Sequence, residues 1–189
     1  QMYTSGSRVQ SFDYDKDGDL DLFVGGRVVP KNYPMPANSY ILENVSLTGE
    51  PKFIDVTGKI APGLENLGMV TDASWADYDQ DGWVDLIVVG EWMPITVFRN
   101  NRGSFENITE KLNLDTATGW WFSIEQGDFD KDGDIDFIVG NLGLNYKYKA
   151  NEQETFDIYL NDFDKNQSND IVLSYYDEGK KFPVRGRQC

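Results

Sequence analysis

At 189 residues, with 40% hydrophobic and 14% aromatic side chains, the chain is long enough to bury a core and has the material for one. A formal charge of -15 argues against a nucleic-acid partner, because a phosphate backbone is held by clustered Lys and Arg. Zero histidines and a single Cys189 exclude His-based catalysis, the usual zinc sites and an internal disulfide, and no apolar run is long enough for membrane insertion as a helix.

In chain order, Ser7 to Phe12 reads as a strand running into Asp13-Tyr14-Asp15-Lys16-Asp17-Gly18-Asp19-Leu20-Asp21, with a strand from Leu20 to Val24 running out toward Gly25-Gly26. Tyr40 to Asn44 and Lys52 to Thr57 follow as two more strands, joined by Thr48-Gly49-Glu50-Pro51. The pattern then repeats. Asp77-Tyr78-Asp79-Gln80-Asp81-Gly82-Trp83-Val84-Asp85 leads into Leu86 to Gly90, and strands follow at Thr96 to Asn100 and Ser104 to Thr109. Asp128-Phe129-Asp130-Lys131-Asp132-Gly133-Asp134-Ile135-Asp136 leads into Phe137 to Gly140, with Tyr146-Lys147-Tyr148 as the next strand. Phe156 to Leu160 enters a degenerate fourth copy from Asp162 to Asp170. Short apolar runs bounded by glycine read as buried strands, and four strands per unit is the count of a propeller blade. The expectation is an all-β chain, one repeat domain forming a partial β-propeller of three to four antiparallel blades, at residues 7–57, 69–109, 119–150 and 155–183.

Each nine-residue copy reads as a β-hairpin whose turn is a cation site. Carboxylates at positions 1, 3, 5 and 9 around a sharply turning residue at 6 supply the converging oxygens that a hard cation needs. The predicted side-chain ligands are Asp13, Asp15, Asp17 and Asp21; Asp77, Asp79, Asp81 and Asp85; Asp128, Asp130, Asp132 and Asp136; and, in a weaker fourth site, Asp162, Asp164, Asn166 and Asp170. The backbone carbonyls of Asp19, Trp83, Asp134 and Ser168, at position 7, complete the sets. Gln167 stands where the other copies have glycine, and a side chain in a left-handed turn costs on the order of 1 kcal/mol. The EF-hand is excluded, because position 12 is Val24, Val88 or Val139 inside a strand instead of a Glu on a helix. Position 4 (Lys16, Gln80, Lys131) should face solvent, and the position-2 aromatics (Tyr14, Tyr78, Phe129, Phe163) should pack between neighbouring blades. Trp120 and Trp121, adjacent in a strand, must face opposite sides.

The loops, their aromatic second residues and their glycine-ended exits resemble the FG-GAP and VCBS repeats of integrin-alpha-like propellers. The linking stretches Phe23 to Pro30, Val88 to Pro94 and Gly140 to Asn145 resemble more narrowly the bacterial proteins that carry ASPIC/UnbV domains and are related to cartilage acidic protein. The resemblance implies calcium as the cofactor, in three sites and a weaker fourth, and an extracellular, periplasmic or cell-surface setting. The start at Gln1 and the stop just after a strand-like stretch suggest an excised fragment, whose open blade edges would invite self-association.

Beyond calcium, the expected partner is a protein or polysaccharide ligand. The irregular segment from Arg27 to Tyr40 and Glu91-Trp92-Met93-Pro94 form the candidate surface. The alternative is a calcium-dependent polysaccharide-active enzyme, a lyase or hydrolase. Its acid and base would have to come from Glu43, Glu91, Glu106 or Glu125, because the loop aspartates are taken by metal.

Overall fold

The computed structural model describes residues 4–47 and 49–185; Thr48 of the expected turn and Cys189 lie outside them. The described chain is nearly all β and divides into two compact units, 1–141 and 142–189.

The first unit begins with a four-stranded antiparallel sheet, β1 (Ser5–Phe12), β2 (Asp21–Val28), β3 (Tyr40–Asn44) and β4 (Phe53–Asp55), in that spatial order. The strand expected to run through Thr57 stops at Asp55. There the Asp55 carboxylate accepts the Thr57 N–H at 3.0 Å, and Thr57 opens a one-turn helix, α1 (Thr57–Ile60). A second meander repeats the first as β5 (Met69–Ala76), β6 (Asp85–Pro94), β7 (Thr96–Asn100) and β8 (Phe105–Asn107). The hairpin of β9 (Thr118–Gly127) and β10 (Asp136–Asn141) joins it, because the far end of β6 pairs with β9 through Glu91↔Trp120, Met93↔Gly119 and Pro94↔Thr118. The second and third blades therefore share hydrogen bonds, which separate blades would not.

β6 is buried along both faces, and its alternation divides the core in two. Leu86 and Val88 join Phe23, Ile41, Trp75 and Phe98 between the first two blades; Ile87 and Val89 join Val97, Ile108 and Ile124 on the other side. Side chains on two faces of one strand thus hold three blades together. Buried Asp72 on β5 adds polar ties in both directions, to Arg8 Nε of β1 at 2.9 Å and to the Ile124 N–H of β9 at 3.1 Å. The exit glycines are explained by close approach. A Cβ on Gly26 would collide with the Asn38 carbonyl, and one on Gly90 with the Met69 carbonyl.

The second unit is a three-stranded sheet, β11 (Asp157–Asn161), β12 (Asp170–Asp177) and β13 (Lys180–Pro183), with the fourth loop between its first two strands. Tyr146-Lys147-Tyr148 is not the strand expected. A 3-10 turn at Gly143–Asn145 redirects the chain, and the aromatic rings pack on one another: Tyr148 stacks on Phe156 at 5.6 Å and Tyr146 meets Phe156 edge-on at 6.0 Å. Ring packing here takes the place of a ladder.

Candidate metal centre

All four loops have one backbone design. Residues at both position 4 (Lys16, Gln80, Lys131, Lys165) and position 6 (Gly18, Gly82, Gly133, Gln167) have positive φ, from +56° to +99°. Two left-handed residues two apart turn successive N–H groups inward, and the aspartates receive them. In the first loop Asp13 accepts from the N–H groups of Asp17 and Gly18, each at 3.1 Å; Asp15 accepts from Asp17 N at 3.3 Å and Asp17 from Asp19 N at 3.0 Å. The third and fourth loops repeat this set; there Asn166 Oδ1 receives the Ser168 N–H at 2.8 Å, as the position-5 aspartates do elsewhere. Gln167 holds φ +69° without a glycine.

Position 9 closes the turn from the strand side. Asp85, Asp136 and Asp170 accept the N–H groups of Tyr78, Phe129 and Phe163 at 3.2, 2.9 and 3.1 Å. In the first two blades the same carboxylate also receives a third-strand N–H, Asn44 to Asp21 at 2.8 Å and Asn100 to Asp85 at 2.7 Å. Asp85 is fully buried and Asp21 is 3% exposed. Burial outweighs these hydrogen bonds and pushes both carboxyls up to about 6.

In each loop three carboxylates offer oxygens within 4.8 Å of one another: Asp13, Asp15 and Asp17 in the first, then Asp77, Asp79 and Asp85, Asp128, Asp130 and Asp136, and Asp162, Asp164 and Asp170. Asp81 and Asp132 at position 5, and Asp21 at position 9, stand outside these triplets. Asp77 Oδ1, Asp21 Oδ2 and Asp19 Oδ1 are buried oxygens with no hydrogen-bond partner. Such atoms are costly unless a cation meets them, so the donor set fits a hard ion that prefers oxygen. Asp19 is the addition here. Sequence reasoning assigned it a carbonyl, yet its carboxylate is turned in, and burial together with Asp17, Asp15, Asp13 and Glu43 pushes its pKa up. An acid at position 7 of the first and third loops was the signal available.

One expectation about the loop surroundings is refined and one corrected. The position-4 residues Lys16, Gln80 and Lys131 are exposed as expected, but Lys16 also reaches a partner: its Nζ donates to the Gly82 carbonyl of the second loop at 2.6 Å and lies 4.3 Å from the centre of the Trp83 ring. The position-2 aromatics do not all pack between blades. Tyr14 is 2% exposed and meets Phe105 of β8 at 5.7 Å, and half-buried Tyr78 lies on the second core cluster. Phe129 and Phe163 are 52% and 53% exposed.

The segments singled out as a recognition surface do converge. Arg27 pairs with Glu91 at 2.6 Å, the Trp92 indole N–H donates to Tyr33 Oη at 2.9 Å, and Trp92 meets Trp120 edge-on at 4.9 Å. Trp92 itself is the extra residue of a bulge against β9, at φ +61°. Trp121, on the other side of β9, packs on the second core cluster. The candidate catalytic glutamates have separate employment: Glu43 accepts from Tyr14 Oη, Glu91 pairs with Arg27, Glu106 pairs with Lys111, and Glu125 is exposed on β9.

No helix among the described residues is long and apolar enough to cross a membrane. No curated protein matches the chain. Residues 77–139 match the FG-GAP-like repeat family, a stretch that begins on the first aspartate of the second loop and ends in β10, the strand that leaves the third.

Proposed function

We propose that the chain is a calcium-fastened, propeller-like repeat module of a secreted or cell-surface protein. It serves as a scaffold that presents a recognition surface to a protein or polysaccharide. The observation that carries this reading is the set of buried, unpartnered carboxylate oxygens on Asp77, Asp21 and Asp19 within loops of one repeated geometry. Each loop gathers three to five like charges in a single turn, and a divalent ion converts that repulsion into attraction, so that binding free energy becomes folding free energy. An affinity of about 0.1 to 1 mM, typical of extracellular modules, suits a compartment rich in calcium. The recognition surface is the convergence of Arg27 to Tyr40 with Glu91 to Pro94, held by Arg27–Glu91 and Tyr33–Trp92. The narrower kinship with ASPIC/UnbV-associated proteins rests on the linking stretches.

The test is a thermal melt of the full chain in excess chelator and again with millimolar calcium. Chelator lowers the melting temperature and calcium restores it; an identical melt in both conditions overturns the reading.

A further inference from the structure

The first two loops share a backbone but sit in opposite electrostatic settings. The pairing Leu22↔Leu42 in the first blade corresponds to Leu86↔Phe98 in the second, so the next residues along β3 and β7, Glu43 and Arg99, occupy equivalent slots. Each slot immediately precedes the asparagine whose N–H meets the position-9 carboxylate. In the first blade the slot adds an acid to five aspartates, and the loop's own Lys16 is turned away to Gly82 and Trp83. In the second, Arg99 Nε lies 2.8 Å from Asp79 Oδ2 and its Nη2 lies 2.9 Å from Asp81 Oδ2. The remaining oxygens of these two carboxylates accept the N–H groups of Asp81 at 3.2 Å and Trp83 at 2.9 Å. All four oxygens at positions 3 and 5 thus have protein donors, and Asp81 is held outside the triplet of Asp77, Asp79 and Asp85.

We infer that Arg99 is the resident counter-cation of the second loop, and that the residue in this third-strand slot sets how strongly each loop takes calcium. The inference rests on the calcium reading above. Without metal the second loop is already partly neutralised and its aspartates are held by charge-assisted hydrogen bonds. Calcium drawn to Asp79 and Asp81 must displace a guanidinium that brings two donors in a fixed fork, or remain beside its positive charge. The first loop, with Glu43 in the slot, has no such competitor among the described residues and gains more from the ion. The loops therefore fill in order, the first before the second.

Terbium(III) serves as the probe, because Trp83 at position 7 of the second loop can sensitise its luminescence. Because Trp83 also neighbours the first loop through Lys16, all these proteins carry Asp13→Asn and Asp15→Asn to silence that loop, and the share of the signal lost in Trp83→Phe then reports the second loop in the full chain. Arg99→Gln shifts the midpoint of that share about tenfold toward lower terbium, the effect of removing one positive charge from beside a multivalent ion at a half-exposed site. Arg102→Gln, which removes the same charge from the neighbouring turn, leaves the midpoint in place. Arg99→Gln also lowers the melting temperature in chelator but not in saturating calcium, where the ion takes over the neutralisation. An unchanged midpoint in Arg99→Gln, or an equal shift in Arg102→Gln, overturns the inference while leaving the calcium reading intact. No terbium or calcium binding by any of these proteins overturns the calcium reading, and this inference with it.

Discussion

Asp85→Asn is the most discriminating substitution, because its effect should change sign with metal. Asp85 is fully buried, accepts N–H groups from Asn100 and Tyr78, and belongs to the second loop's carboxylate triplet. Its pKa of about 6 lies about two units above that of a free aspartate, so ionisation at pH 7 without a cation costs about 3 kcal/mol relative to the unfolded chain. Asparagine removes that cost. It keeps one carbonyl oxygen for Asn100 and gives up the bond to Tyr78, a loss of about 1 kcal/mol. The amide NH2 that then faces the Tyr78 N–H reduces the gain further, leaving the variant about 1 kcal/mol more stable than the parent in chelator. In calcium the balance reverses. An ion at 100 times its dissociation constant stabilises by about 2.7 kcal/mol, most of which disappears if a neutral ligand weakens binding about a hundredfold. Paired urea melts of both proteins, with chelator and with saturating calcium, measure the swing. Equal destabilisation in the two conditions would refute the reasoning and leave position 9 as a hydrogen-bond hub with no part in holding a cation.

Three further outcomes follow from the same geometry. In chelator, stability rises as pH falls from 7 toward 5. Asp21 and Asp85 have folded pKa values of about 6, above their unfolded values, so the folded state binds the protons more tightly; saturating calcium opposes the trend, and melts across that pH range check both slopes. Asn100→Ala removes a buried amide that donates to the Tyr14 carbonyl at 2.8 Å and accepts the Gly103 N–H at 2.7 Å. It destabilises by about 2 to 4 kcal/mol in urea melts, more than Asn44→Ala, whose side chain is half-exposed. Gln167→Gly relieves a side chain at φ +69° and stabilises by about 0.5 kcal/mol once glycine's greater freedom in the unfolded chain is counted, as a calorimetric melt in calcium should show.

Features written in short stretches of sequence could be read from it. The aspartate spacing gives the loop, the apolar alternation after it gives the strand, and Tyr40–Asn44 and Thr96–Asn100 are strands over the predicted residues. The left-handed position 4 escaped because Lys and Gln, unlike glycine, do not announce such a conformation. What depends on which strands become neighbours was not legible either. Lys16 reads as a solvated charge until β5–β8 stand beside β1–β4 and bring Gly82 and Trp83 within its reach. Arg99 reads as an exposed strand residue until the register places it over Asp79 and Asp81. Tyr146 to Tyr148 has β-forming residues, yet ring contacts with Phe156 give it a different use.

These neighbour contacts change what the first loop fastens. Its own strands, β1 and β2, hold it at two ends, but its middle is held by the second blade: Asn100 on the Tyr14 carbonyl, Gly103 against Asp15, and Lys16 on the second loop. A Cβ on Gly103 would lie 3.4 Å from the Cβ of Asp15, an ordinary van der Waals contact, so the turn touches the loop, and the φ of +89° is what favours glycine there. The β7–β8 turn therefore packs on the backbone whose shape an ion in the first loop would set. Neutralising Asp13, Asp15 and Asp17 would then stabilise the contact between blades as well as the hairpin that carries them. The same contact places Asn100 against both loops, its N–H on the Asp85 carboxylate and its side-chain amide on the Tyr14 carbonyl. Asn100→Ala therefore weakens terbium binding at the first loop although it touches none of that loop's carboxylates, and unchanged binding there refutes a coupling through this residue.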